Sequence, residues 1–234
     1  MNMTVNGTSI STFDAVLLSV DYGYSTVTTY SDWLRGAHQP LFFEQTVQYT
    51  TAQYSILVEG DDLGDLEANC SNLYAAMQKS LVKVEGCDWG IDGWVTSADD
   101  ERINHMARIV TVSFQGIKVA DRETLSHTMA MGETWTFTAK GNQEVPCVIT
   151  ISPDMGYLEM DLTINGVSYP IKNIMSTDIA IVIDSEKGTI TADGDNKIED
   201  YEAWSFPVIK GGSNTLYIGS GTPTISIAYN GRWM

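Results

Sequence analysis

The densest group of metal-capable side chains lies in ITADGDNKIEDYEAW, residues 190–204, where Asp193, Asp195, Glu199, Asp200 and Glu202 surround Gly194 and Asn196. Clustered carboxylates with a glycine are the raw material of a calcium loop. An EF-hand loop opening at Asp193 requires Asp or Asn at its third and fifth positions and Gly at its sixth. Asp195 satisfies the third, but Lys197 and Ile198 occupy the fifth and sixth. A lysine there puts a cation where the metal would sit. Asp193, Asp195 and Asp200 therefore stand as candidate metal ligands on acidity alone. The plainer reading is a solvated loop between strands, turned by Gly194 and Asn196.

Other chemistry is thinner. His38, His105 and His127 are remote in sequence from one another and from Cys70, Cys87 and Cys147, and no zinc spacing links them. Three cysteines without a CxxC pattern read as reduced thiols of a protein folded in a cytoplasm. There is no G-x-S-x-G, Walker or Rossmann motif, and with 30 acidic residues any chosen carboxylate pair is uninformative. The expectation is no enzyme and no cofactor. CDWGIDGWV is predicted to place Trp89 and Trp94 around a Gly-rich turn. Such residues form a stacking platform for a glycan or a hot spot for a protein partner. Equally, they pack across a hairpin onto the core.

The bulk numbers exclude some partners. Thirteen basic against 30 acidic side chains give a formal charge of −17 over 234 residues. Nucleic-acid phosphates need clustered Lys and Arg, so nucleic acid is not an expected partner. Anionic membrane surfaces are disfavoured for the same reason. The start, MNMTVNGTSI, has no basic and apolar signal sequence, and no run approaches the ~20 apolar residues of a membrane span.

The elements that must position these residues are mostly strands. Period-two alternation puts Tyr54, Ile56 and Val58 on one face, and likewise Val110, Val112 and Phe114, Trp135 and Phe137, and Ile225, Ile227 and Tyr229. Asn-Gly pairs at 6–7, 165–166 and 230–231 are turn signals, the middle one a two-residue type I′ hairpin. IVIDSEKGTIT reads as another hairpin, closed at Lys187-Gly188. One helix is predicted over about 63–81, from the stripe Leu66, Cys70, Leu73, Met77 and Leu81, capped by Asp61 or Asp62. The domain boundary is expected near the polar stretch KVADRETLSH, after a strand ending at Gly116. It gives domains over 1–122 and 123–234. Trp204 to Pro207 are expected to lead the chain back to the core.

From Val145 the order of motifs is distinctive. An ING hairpin (Ile164–Gly166) precedes an I-x-ID strand (Ile181–Asp184) and a turn, DGDN (Asp193–Asn196). Phe206-Pro207, GSN (Gly212–Asn214) and a closing strand with Arg232-Trp233 follow. This order resembles the distal tail proteins of long-tailed, non-contractile phages. One departure is KGGSN, where a glycine stands in place of a more usual proline.

The resemblance implies a mainly β chain with a β-sandwich-like, ring-forming N-terminal domain bearing one helix and a C-terminal galectin-like antiparallel β-sandwich. It implies a minimal form without an inserted carbohydrate-binding module. By the same resemblance the chain is a structural component of a phage or prophage tail tip, assembled in the host cytoplasm. Its expected partners are itself in a hexameric ring, the tail tube protein, the tail-associated hub protein and receptor-binding proteins. The alternative is a carbohydrate-binding, lectin-like use of the C-terminal sandwich. Against it, neither His105 nor His127 opens the H-x-N-x-R strand of true galectins. A cell-wall hydrolase has only the tail-tip setting in its favour.

Overall fold

The computed structural model describes residues 1–33, 35, 38–156, 159–172, 179–219 and 221–234, with the backbone alone at 44 and 45. The chain is mainly β and divides into two compact units, Met1–Val119 with Met234, and Ala120–Trp233.

The first unit contains β1 (Met3–Val5), β2 (Thr8–Ser9), β3 (Ala15–Tyr22), β4 (Val27–Asp32), β5 (Leu41–Val47), β6 (Thr50–Glu59), α1 (Leu63–Met77), β7 (Lys79–Val84) and β8 (Trp89–Arg102). It ends on the first part of β9 (Ala107–Thr128). The strand order is β3-β6-β9-β8-β7-β1-β2, with β3–β6, β6–β9, β8–β7, β7–β1 and β1–β2 antiparallel. Tyr54, Ile56 and Val58 from β6 meet Val110, Val112 and Phe114 from β9 in one core. Met3, Val5, Val82 and Val84 reach the same core from the other end of the strand order, which makes the unit sandwich-like. The helix α1 adds Leu66, Leu73 and Met77.

Asp62 caps α1, its carboxylate accepting from the Asp65 amide at 2.9 Å. The helix stops at Met77 rather than running to Leu81, because KSLVKV switches to period two and buries Ser80, Val82 and Val84 in β7. A strand's alternation overrode the last step of the helical stripe. The sequence KVADRETLSH is strand as well, the second part of β9, where Glu123, Leu125 and His127 keep the alternation on half-buried positions. Its polar composition belongs to a sheet face, and the two units divide within it, between Val119 and Ala120, on continuous strand.

The second unit holds β10 (Thr134–Ala139), β11 (Val145–Ser152), β12 (Glu159–Ile164), β13 (Val167–Lys172), β14 (Ile181–Asp184), β15 (Thr189–Ala192), β16 (Asp195–Asn196), β17 (Val208–Ile209), β18 (Gly212–Ile218) and β19 (Thr224–Trp233). One sheet runs β16-β15-β14-β11-β19 and continues to β9; the other runs β10-β18-β12-β13. Ile149, Ile183, Ile225 and Ile227 of the first face Phe137, Leu162, Leu216 and Ile218 of the second across a single apolar core. This is an antiparallel β-sandwich.

Turn chemistry fixes its registers. Asn165 and Gly166 both take positive φ, 51° and 83°, so Ile164 pairs with Val167 in a type I′ hairpin. Asn6-Gly7 does the same between β1 and β2. Asn230-Gly231 is no turn: both lie inside β19. Gly231 is there because a Cβ would sit 2.6 Å from the Lys140 carbonyl oxygen, so close backbone approach and not reversal explains it.

Candidate functional site

The acidic stretch resolves into a hairpin. Asp193 (φ 51°) and Gly194 (φ 84°) form the two-residue turn, and Ala192 pairs with Asp195. The turn is thus Asp193-Gly194, not Gly194 with Asn196. The Asn196 carboxamide oxygen instead accepts from the Ile198 amide at 3.0 Å and opens a short 3-10 turn, Ile198–Asp200. Lys197 sits 3.5 Å from the Asp200 carboxylate, so the chain supplies its own cation. Among the described residues no group of three or more His, Cys, Asp or Glu is placed to hold a metal.

Trp89 and Trp94 are not set around a turn. Both belong to the continuous strand β8, and five positions apart they point to opposite faces. Trp89 is half-buried, edge-on to Tyr22 at 4.8 Å, with the Lys118 ammonium 5.1 Å from its ring centre. Trp94 is exposed and meets Tyr49 edge-on at 4.8 Å. The structure does not bring them together into one platform. The glycines between them serve packing: a Cβ on Gly93 would lie 2.1 Å from the Gln115 carbonyl oxygen and 2.6 Å from the Gly116 Cα.

Of the histidines, His127 has a defined setting, stacked on Trp135 at 5.2 Å with Nε2 3.0 Å from Glu133. The Ala130 amide, donating to Glu133, and His127 hold the Glu133 carboxyl below its ordinary range. Burial pushes the Cys147 thiol up to about 12, which makes it inert. None of this arranges a nucleophile, a base and an oxyanion donor around one point.

Two other surfaces stand out, and sequence reading missed both. The first is the β4–β5 ribbon of the first unit with its flanks, where Tyr24, Tyr30, Trp33, Phe42 and Phe43 are exposed, Phe42 at 72% and Phe43 at 68%. Its base is tied down: Gly23 and Thr51 share an amide–carbonyl bond of 2.8 Å, and the Thr50 hydroxyl donates to the Gly23 carbonyl at 2.7 Å. Its blade is open. The apolar run Leu41-Phe42-Phe43 is consistent with a buried strand, so nothing in the sequence marked it as exposed.

The second surface is in the second unit. Trp204, expected to return to the core, is fully exposed at 105%. Its neighbours took the core positions instead: Tyr201, Ala203 and Phe206 pack against the apolar cluster. The rings of Tyr201 and Phe206 stack at 5.5 Å, and the Tyr201 hydroxyl donates to the Ser205 carbonyl at 2.6 Å, drawing the loop shut.

The motif residues of the second half turn out to hold each other. Asn165 and Asn214 are joined by a 2.9 Å carboxamide bond. Asp184 accepts from the Glu186 and Lys187 amides at 3.1 and 3.0 Å and from the Lys187 ammonium at 2.9 Å. The family described as siphovirus-type tail component, C-terminal domain, matches residues 140–233. The whole chain is similar in fold to the crystal structure of SPP1 Dit, whose description calls it a paradigm of the hub adsorption apparatus in phages infecting Gram-positive bacteria. The TM-score is 0.75 at 10% identity, over 98% of this chain and 98% of that one. A chain of the phage P2 baseplate in its activated conformation with Ca gives a TM-score of 0.49 at 10% identity, over 94% and 92%. Among curated protein sequences none matches significantly. Residues 140–233 thus match a siphovirus-type tail component domain, and the chain as a whole shares the fold of SPP1 Dit.

Proposed function

We propose that this chain forms a six-fold ring at the distal end of the tail, joining the tail tube protein to the tail-associated hub protein. Residues 1–122 make the ring, and residues 123–234 face outward, where receptor-binding components dock. The particle is put together in the host cytoplasm.

The observation that carries this is the aromatic ribbon. Five exposed aromatic side chains, each worth about 150–250 Å² when covered, leave on the order of 600 Å² of apolar surface in one element. A free monomer rarely tolerates a patch above ~300–600 Å². A stable interface covers about 800 Å² per partner, so the ribbon supplies most of one side of a subunit contact. β3, the end strand of its order, adds exposed Val16 and Leu18. An open edge with apolar residues is what a neighbouring subunit covers.

The test is the particle mass and its image. Six copies of a 25.7 kDa chain give a species of about 154 kDa, seen as rings by negative-stain electron microscopy. Replacing Phe42 and Phe43 together by Ser should shift the population to the 25.7 kDa monomer while the second unit keeps its fold. A strict monomer at micromolar concentration, or rings that survive the double replacement, would refute the assignment.

A further inference from the structure

Trp204 stands out because everything beside it is fastened. Tyr201 bridges in register to Ile171, the Glu202 amide donates to the Pro170 carbonyl at 3.1 Å, and Lys172 pairs with the Glu202 carboxylate at 2.7 Å. With Tyr201 and Phe206 stacked on each other, the loop has little freedom left to lose on binding. A large indole presented to solvent on such a fastened loop has the form of an interface anchor.

Its surroundings say what kind of partner fits. The segment from Asp193 to Trp204 carries Asp193, Asp195, Glu199, Asp200 and Glu202. Lys197 and Lys172, the two lysines paired within this region, are committed to Asp200 and Glu202. The segment that carries the indole is net negative, five carboxylates against Lys197 within residues 193–204, and a partner must complement it with Lys or Arg. A sugar site would instead need polar groups converging on the indole, whereas the Tyr201 hydroxyl is engaged by Ser205 and the Glu202 carboxylate by Lys172.

We propose that the Trp204 knuckle is the docking anchor of the second unit for another tail protein, one that presents an apolar slot rimmed by Lys and Arg. This rests on the reading of the chain as a tail component. Six copies around a ring would let modest single contacts add up through avidity.

Oxidative footprinting with mass spectrometry tests it on the purified full-length chain and on intact virions. Trp204 should be oxidised freely in the purified chain and protected about tenfold in virions. Trp204→Ala, with its thermal unfolding unchanged, should weaken retention of the neighbouring protein roughly 30-fold or more. Glu199→Lys should weaken it further as salt is lowered, reversing the charge match. Equal oxidation of Trp204 in both samples overturns the proposal. So does protection already present in the purified oligomer, which would assign the knuckle to a second copy. Protection of the purified chain by added host cell-wall polysaccharide would assign it to a glycan and also overturns it. If the chain is absent from virions altogether, the tail reading itself falls; if present with Trp204 fully oxidised, only the docking proposal does.

Discussion

Removing the carboxamide of Asn214 should destabilise the second unit by about 3 kcal/mol. Asn214 is 1% exposed, on β18, and every hydrogen-bonding site of its side chain is used. Its oxygen accepts from the Lys210 amide at 2.8 Å and from Asn165 Nδ2 at 2.9 Å. Its nitrogen donates to the Lys210 carbonyl at 2.8 Å and the Gly212 carbonyl at 3.0 Å. Asn214→Ala orphans all of those partners at once. A net ~1 kcal/mol for each bond, less what Lys210 regains from water, leaves roughly 3 kcal/mol. With a urea m-value of about 1.5 kcal/mol/M for a unit of this length, the midpoint falls by roughly 2 M.

The partner residue makes the test sharper. Asn165 sits at φ 51°, where Gly is at no disadvantage, so Asn165→Gly keeps the turn and deletes only the side-chain bonds. Those are the bond to Asn214 and one accepted from the Thr215 amide at 3.0 Å. A double-mutant cycle between the two positions should return a coupling of about 1 kcal/mol. Urea unfolding of the full chain, with hydrogen exchange read on peptides covering Gly212–Ile218, assigns the loss to this unit. A midpoint shift under ~0.3 M, or a coupling near zero, would show that the asparagine pair does not hold the hairpins together.

Two more perturbations follow from the geometry. Gly93→Ala forces a Cβ to within 2.1 Å of the Gln115 carbonyl oxygen, so β8 and β9 must separate; a loss of about 3 kcal/mol or more, read by urea midpoint, is expected, and a stable wild-type-like protein would refute the close approach. Burial opposes the charge on Asp184, but the Lys187 ammonium with the Lys187 and Glu186 amides outweighs it and holds the carboxyl below its ordinary 3.8. A depressed carboxyl contributes stability above its unfolded pKa and loses it as pH falls through the folded one. Thermal unfolding of Asp184→Asn should therefore be lower than wild type at neutral pH, and the difference should shrink below about pH 4. A difference that stays constant across that range would mean the charge plays no part.

How much of this was legible in the sequence depended on the kind of force involved. Alternation placed Tyr54, Val112, Ile225 and Tyr229 on the core side, since one buried face leaves little choice of register. It could not say that Leu41-Phe42-Phe43 lacks cover, because an apolar run looks the same whether its partner is in the chain or in another subunit. Trp204 failed for a related reason. Tyr201, Ala203, Trp204 and Phe206 compete for the same core positions, and only three-dimensional packing decides which one is left outside. Composition did not show that residues 118–127, where the units divide, are continuous strand, since their charges suit the outward face of a strand as well as a loop.

The two halves differ in how clearly they resemble relatives, and the structure gives a physical reason. In the second unit the motif residues are polar groups with fixed geometric duties. Asn165 and Asn214 lock two hairpins to each other, Asp184 gathers the amides of its own turn, and Asp193-Gly194 takes the left-handed conformations that a two-residue turn requires. Few other residues do those jobs, so the order ING, I-x-ID, DGDN, GSN can be recognised. The first unit is held by Val, Ile, Leu and Met on alternating positions, which exchange for one another at modest cost when volume is kept. Its exceptions, such as the contact of Gly93 with Gly116, are single glycines that leave no readable pattern. A family trace confined to residues 140–233 beside a fold shared over 98% of the chain is what that division of labour produces.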